Sequence, residues 1–225
     1  MIKFCNVSKI FYTKNDKIYA IKDAKIYMPR GSVVLVVGKN GSGKSTLLSL
    51  VCGAISPTSG RVYFGDNDIS GLPPRFINLL RREKIGMIFQ ERSLIGRLTV
   101  IENLCLPLIP TNRNIVEIKK SGYDLLEKFG LKTKEKTKCG YLSGGEKQRL
   151  TIARALINNP DVILADEPTT YLDDEVLDVF INETKNWKKS GKTVVIASHQ
   201  LELFDEIKPD ILIELKQGQC FQVSL

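Results

Sequence analysis

Apolar residues fall along this chain in two rhythms. The stretches "IKFCNV" (2–7) and "IYAIKDAKIYM" (18–28) alternate apolar and polar positions, which predicts half-buried strands. "SVVLVVG", "DVILAD" and "TVVIAS" are instead unbroken, largely β-branched runs, the pattern of strands buried on both faces. "KSTLLSLVCG" predicts a helix from Lys44 ending at Gly53, "SPTSG" a turn and "RVYF" a short strand. "GLPPRF" marks a second break before a helix through Arg82, and "KIGMIF" reads as another strand. From Glu91 to about Asn159 the spacing changes to three and four residues, as in "IVEIKKSGYDLLEKFG" and "EKQRLTIARALINN", which predicts helices. A further helix over 174–189 and short strands in the tail complete the pattern. Strands alternating with helices, with apolar strand cores, predict an α/β domain with a largely parallel sheet and a helical insert between its halves.

Composition changes this picture little. A chain of 225 residues, 43% hydrophobic and 26% charged, can bury one sizeable core and does not read as disordered. Its longest apolar runs fall far short of the roughly 20 residues a membrane span needs. The N-terminal stretch has no apolar core followed by a small-residue cleavage site, so a protein that stays in the cytoplasm is expected. Five dispersed cysteines without C-x-x-C spacing, and one histidine in the whole chain, speak against a zinc site and for buried or half-buried free thiols. The net charge of +8 is spread along "SKIFYTKNDKIYAIKDAK" and "LKTKEKTK" without interleaved aromatics. It therefore reads as a solvated face, compatible with a nearby anionic membrane surface, rather than as a nucleic-acid surface.

Candidate chemistry begins at "GKNGSGKST", where Gly38, Gly43, Lys44 and Ser45 fit G-x-x-x-x-G-K-[ST] between a predicted strand and a predicted helix. Glycines let the loop from Gly38 through Lys39, Asn40, Gly41, Ser42 and Gly43 fold tightly, so that N–H groups up to Ser45 and Thr46 converge on one anion. The helix N-terminus adds partial positive charge. Lys44 is then expected on the terminal phosphates and the Ser45 hydroxyl on Mg²⁺. "DVILADEP" ends a buried strand with two carboxylates: Asp166 is placed to hold the magnesium shell and Glu167 to act as general base on an attacking water. Together these residues point to a nucleoside triphosphate and magnesium.

"LSGGE", Leu142–Glu146, reads as a capping box with Ser143 as N-cap and Glu146 three residues on. That accounts for the serine and the glutamate but not for Gly144 and Gly145, which cost up to about 1 kcal/mol each relative to alanine in a helix interior. Close approach of an anion to the helix N-terminus would explain them.

With these motifs in this order, the chain resembles the ABC ATPases over essentially its whole length. The resemblance implies a P-loop NTPase fold: a mainly parallel central sheet, an antiparallel β subdomain and an inserted α-helical subdomain. It makes 1–225 one domain, with the core in 1–90 and 158–225 and the helical subdomain at about 91–157. It further implies two copies paired head to tail, each ATP lying between the P-loop of one and the "LSGGE" signature of the other. Gln90 in "IGMIFQ" is similar to the family's glutamine that contacts Mg²⁺ or water and couples to the membrane partner. His199 in "VVIASHQ" is similar to the histidine that touches the γ-phosphate. Phe11 or Tyr12, with Phe11 preferred, corresponds to the aromatic that stacks on adenine.

After "DEP" the chain reads Thr169, Thr170, Tyr171, Leu172, Asp173, where the nearest families usually read Thr-Gly-Asn-Leu-Asp. Asp173 remains as the contact to the opposing copy. Short segments such as "LLRREKIGMIFQ" and "LTVIENLCLPL" resemble the subgroup that contains the cell-division ATPase FtsE and the lipoprotein-release and macrolide-export ATPases. The implied function is an ATPase on the cytoplasmic face of a bacterial inner membrane, driving a separately encoded transmembrane subunit, FtsE-like by preference. A lipoprotein-release or macrolide-export ATPase is the alternative, and a soluble ABC ATPase on ribosomes or DNA is the more distant one.

Overall fold

The computed structural model describes residues 1–13, 16–89, 93–111, 113–169, 174–200 and 203–225. In chain order the elements are β1 (Ile2–Tyr12), β2 (Lys17–Met28), β3 (Val33–Val37), α1 (Lys44–Val51), β4 (Ser59–Phe64), β5 (Asn67–Asp68), α2 (Pro74–Lys84) and β6 (Ile85–Ile88). They continue with α3 (Val100–Cys105), α4 (Ile115–Lys128), α5 (Gly144–Leu156), β7 (Val162–Asp166), α6 (Asp174–Lys189), β8 (Thr193–Ser198), α7 (Leu203–Ile207), β9 (Ile211–Lys216) and β10 (Gln219–Ser224).

The strands stand in the order β5-β4-β1-β2-β10-β9-β3-β8-β7-β6. From β9 to β6 neighbours run parallel, whereas β1, β2, β4 and β5 form an antiparallel wing. β10 pairs antiparallel with β9 and meets β2 through one parallel pair, Gln219 with Lys22. A side chain mends the rest of that seam. The Gln222 amide accepts from the Tyr27 N–H at 3.0 Å and donates to the Tyr27 carbonyl at 2.8 Å, replacing ladder bonds the two strands do not make. This is the predicted α/β class, its parallel β9-to-β6 half and its antiparallel wing joined in one mixed sheet.

Strand periodicity divides the core in two. On β3, Val33, Leu35 and Val37 face one cluster and Val34 and Val36 the other. On β7 and β8 the same alternation sends Ile163, Ala165, Val194 and Ile196 to the first and Val162, Leu164, Val195 and Ala197 to the second. The first cluster continues into the helical region through Leu104, Leu126 and Leu150, and the second packs α1 and the antiparallel wing. Both faces of these strands are covered, which is why their sequences are unbroken apolar runs.

One difference from the sequence reading is instructive. The first strand runs to Tyr12 rather than stopping at Val7, with register shifts against β2 between Phe4 and Val7 and again up to Ile10. Asn6 has φ 50° there. A bulge moves one residue out of phase, so the alternation breaks although the strand does not.

Parallel pairing also sets the geometry of function. Val37 is level with Ser198, and Asp166 with Ala197. The segments that follow β3, β7 and β8 therefore leave the same edge of the sheet side by side, at the carboxyl ends of the strands where open α/β sheets bind ligands.

Candidate nucleotide site

The helix after the P-loop begins without a cap of its own. Gly43 stands at the N-cap of α1 with φ 110°, no side chain caps the helix, and its first turn holds no acidic residue. Four N–H groups at a helix start need acceptors, so this end is built for an anion from elsewhere. Only glycine fits at 43. Its φ is in the left-handed region, and a Cβ there would run into the Ala20 carbonyl oxygen.

Lys44 is 6% exposed and Glu167 7%, and their side chains meet with Nζ to Oε1 at 3.1 Å. Lys44 Nζ also donates to the carbonyls of Gly38 at 2.8 Å and Lys39 at 3.3 Å. Two of the three ammonium N–H donors are thus taken by these carbonyls, and the contact with Glu167 Oε1, which has no hydrogen-bond partner among the described residues, is one of charge. The other Glu167 oxygen, Oε2, lies 2.8 Å from His199 Nδ1 and accepts from the His199 backbone N–H at 3.3 Å. Lys44, Glu167 and His199 thus form one continuous chain of contacts. Glu167 is held there in the left-handed backbone region, φ 47°, with its N–H donating to the Ala197 carbonyl at 2.9 Å. That conformation is costly for a residue with a side chain and persists only where the surroundings over-determine it.

Asp166, at the end of β7, has its carboxyl pushed above the usual aspartate range by burial, opposed by a hydrogen bond with Ser45. Its Oδ1 is buried with no hydrogen-bond partner among the described residues. A buried orphan carboxylate oxygen beside a hydroxyl is a hard-oxygen donor set, which fits Mg²⁺.

A cleft of about 650 Å³ runs from Lys44, Ser45, Thr46 and Glu167 out to Phe11 and Tyr19. Asn40, Gly41 and Gly43 border it as well. Phe11 pairs across the hairpin with Ile18, and both line the cleft; Tyr12 is 66% exposed and lies outside the lining. Tyr19 was not foreseen as part of this cleft, although it is an aromatic one hairpin position away, paired with Ile10. On the other side of the P-loop a second cavity of about 890 Å³ is bordered by Gly38, Lys39, Ser42 and His199.

Ser143 caps α5 as the motif predicts. Its hydroxyl accepts from the Glu146 N–H at 3.2 Å and Glu146 accepts from the Ser143 N–H at 2.9 Å, with Gly144 and Gly145 opening the helix. Leu142 is buried beneath it. Among the described residues none of Leu142–Glu146 lines either cavity at the P-loop. A single chain brings together the P-loop, Asp166, Glu167 and His199, but not the signature. Gln90, Thr170, Tyr171 and Asp173 lie outside the described residues.

The Glu146 carboxyl is held below the usual glutamate range, first by the Ser143 backbone N–H and then by Lys134. A lowered folded value means that this stabilisation is present above the ordinary glutamate range and is lost as pH falls through the lowered value. Glu146→Gln should therefore flatten the acid limb of stability. Its urea midpoint should fall less than that of the parent between about pH 5 and pH 3. Parallel curves would mean the box is not titrating.

Another residue of α5 escaped the sequence reading. Gln148 is 4% exposed on α5, and its Nε2 donates at 3.0 Å to the carbonyl of Pro168, the residue after Glu167. Thr169 Oγ1 in turn donates to Gln200 Oε1 at 2.8 Å, beside His199. The signal was an amide on the helix face that otherwise carries Ile152 and Ala155.

A profile of the ABC transporter family matches residues 21–170, a span holding the P-loop, the signature and the "DEP" loop. The chain belongs to the ABC transporter family. Its P-loop, paired carboxylates and capped signature helix make it the family's ATP-binding, ATP-hydrolysing subunit. It is 38% identical to the cell division ATP-binding protein FtsE of Haemophilus influenzae, over 97% of this chain and 98% of that one. It is 36% identical to the lipoprotein-releasing system ATP-binding protein LolD of Buchnera aphidicola, over 98% of this chain and 96% of that one. Among solved structures it is similar to the ATP-binding cassette MJ0796 in a dimeric post-hydrolysis state bound to ADP and Pi. The TM-score there is 0.91 at 35% identity, over 100% of this chain and 99% of that one.

Proposed function

We propose that two copies of this chain close head to tail on two ATP molecules and drive a separately encoded membrane subunit of the FtsE type. The observation that carries the reading is the division of the site: the P-loop, Asp166, Glu167 and His199 share one sheet edge while the signature borders neither cavity there. Residues of a second copy would complete it, and the similar cassette MJ0796 is dimeric with ADP and Pi bound.

In this reading Lys44 and the N–H groups of Gly41 to Thr46 hold the phosphates, and Phe11 stacks on the base. Ser143 and Gly145 of the second copy close on the terminal phosphate, and Asp173 contacts the opposing P-loop region. Ser45, Asp166 and Gln90 would hold Mg²⁺, which when bound neutralises charge on the phosphate oxygens. Glu167 accepts the proton of the attacking water, and His199, seated on Glu167, orients that carboxylate and braces the phosphoryl group. ATP and water give ADP and phosphate, and the rate comes mainly from positioning and charge stabilisation.

No helix among the described residues is long and apolar enough to cross a membrane; the reading gives the membrane step to another polypeptide. In this reading the chain sits peripherally on the cytoplasmic face of the inner membrane. A groove between α2, β6 and the helical insert, with Phe89 in its lining, is the proposed seat for that subunit. A LolD-type role is the second reading, favoured by the LolD similarity over nearly the whole chain.

Depletion of the chain in its own cells separates the two. Filaments with blocked septa support the FtsE-type role, and retention of lipoproteins in the inner membrane supports the LolD-type role. Co-purification of tagged Glu167→Gln with ATP tests what they share. Ribosomes or DNA without any membrane protein would remove both.

A further inference from the structure

The backbone at Glu167 is held against two preferences at once. Its φ of 47° lies in the left-handed region, and a residue that precedes a proline favours extended backbone. Pro168 has no N–H, so its carbonyl is the one backbone group by which a hydrogen bond can anchor it. Gln148 takes that carbonyl: Nε2 donates to it at 3.0 Å, and both residues are buried. Because the proline ring locks its own φ, a hold on the carbonyl reaches Glu167 with one soft dihedral, the ψ of Pro168, between them. Thr169 fastens the next step of the loop. It is 6% exposed and its Oγ1 donates to Gln200 Oε1 at 2.8 Å, while the Gln200 N–H donates to Ser198 Oγ at 3.0 Å.

These anchors stand clear of the nucleotide: Gln148, Pro168 and Thr169 border neither cavity at the P-loop. The Glu167 side chain, by contrast, meets Lys44 and His199. In the reaction proposed above Lys44 turns to the phosphates, and His199 is divided between Glu167 and the phosphoryl group. What still aims the carboxylate at that moment is its backbone. We propose that Gln148 is a positioning residue for ATP hydrolysis: through the Pro168 carbonyl it fixes the backbone of Glu167, and with it the direction in which the base meets water. This deepens the reading of Glu167 as the base and rests on it. A core amide that served the fold alone would cost stability when removed, whatever the base does. A positioning amide costs turnover, and only while there is a base to position.

The test uses Gln148→Met in the full-length chain, which keeps the length of the side chain and removes its donor. Steady-state phosphate release should show kcat lowered about 10- to 100-fold, since a misplacement of the order of 1 Å at a reacting group can cost about 10². KM for ATP should stay within about threefold of the parent, and a fluorescent ATP analogue should bind as before, because no group on the phosphates has changed. The deciding measurement is the same substitution in a Glu167→Gln background, followed by long single-turnover hydrolysis. There Gln148→Met should change the residual rate by less than about twofold, since the base it aims is gone. Urea unfolding checks that each variant is folded under the assay conditions. Should Gln148→Met melt early, Gln148→Asn, which holds its amide one methylene short of the carbonyl, replaces it in both backgrounds.

An unchanged kcat, a loss carried by KM, or a loss of equal size in the Glu167→Gln background would overturn this inference and leave Glu167 as the base. So would a chain that folds with neither substitution, because Gln148 would then serve the fold and not the base. Unchanged turnover in Glu167→Gln by itself would remove the base, and the role of Gln148 with it.

Discussion

Glu167→Gln should lower steady-state ATP turnover by about 10²- to 10⁴-fold, the usual contribution of a positioned general base. The amide keeps the side chain's shape but cannot take a proton from water. The structure adds a second expectation. Glu167 competes for Lys44, whose Nζ donates to two P-loop carbonyls and lies against this carboxylate as a close ion pair. Neutralising it frees Lys44 for phosphate, so the variant should bind ATP at least as tightly as the parent and accumulate as a nucleotide-dependent dimer. Phosphate release, titration with a fluorescent ATP analogue and size-exclusion with ATP read the three effects. Unchanged turnover would remove Glu167 from the chemistry. Weakened binding would mean that the contact with Lys44 assists ATP rather than opposing it.

Lys44→Ala is the second large effect, and it reaches stability as well as catalysis. Phosphate binding loses its charged donor, so turnover should fall below detection. Without nucleotide the variant also leaves Glu167 buried with only His199 for company. Breaking a buried pair by deleting one member costs about 3–5 kcal/mol, because the surviving charge stays out of water. His199 can accept part of that charge, which favours the lower end. The Lys44→Ala, Glu167→Gln double variant should regain most of the lost stability and none of the activity. Urea unfolding of the parent, both single variants and the double variant closes the cycle. Additive losses would show that the two groups, though within 3.1 Å, do not depend on each other for stability.

Much of the site was legible before any coordinates. The spacing from Gly38 to Ser45 placed the P-loop between a strand and a helix, and β3 and α1 stand there. Asp166 and Glu167 were located by an apolar run ending in acid, because a strand buried on both faces has to end before a charge can begin. Ser143 and Glu146 announced their own hydrogen bonds, since a capping box is local and needs nothing from elsewhere in the fold. Where the signal was non-local the reading stopped short. The bulge at Asn6 hid the second half of β1, and Gln148 looked like one more polar helix residue until its partner, Pro168, came alongside.

What the sequence by itself determined is the chemistry available: a phosphate loop, two adjacent carboxylates, one histidine and a glycine-opened helix, each written in contiguous residues under local steric rules. What only the tertiary structure decided is which of these groups meet. Parallel pairing of β3, β7 and β8 sets three loops on one edge, so that Lys44, Glu167 and His199, far apart in the chain, meet in series. It also bends Glu167 into a left-handed conformation that no residue pattern signals, and it gathers Arg81, Arg82 and Arg154 around one apolar floor. Such encounters depend on strand order and register, which are set by the burial of the whole core and not by any one segment.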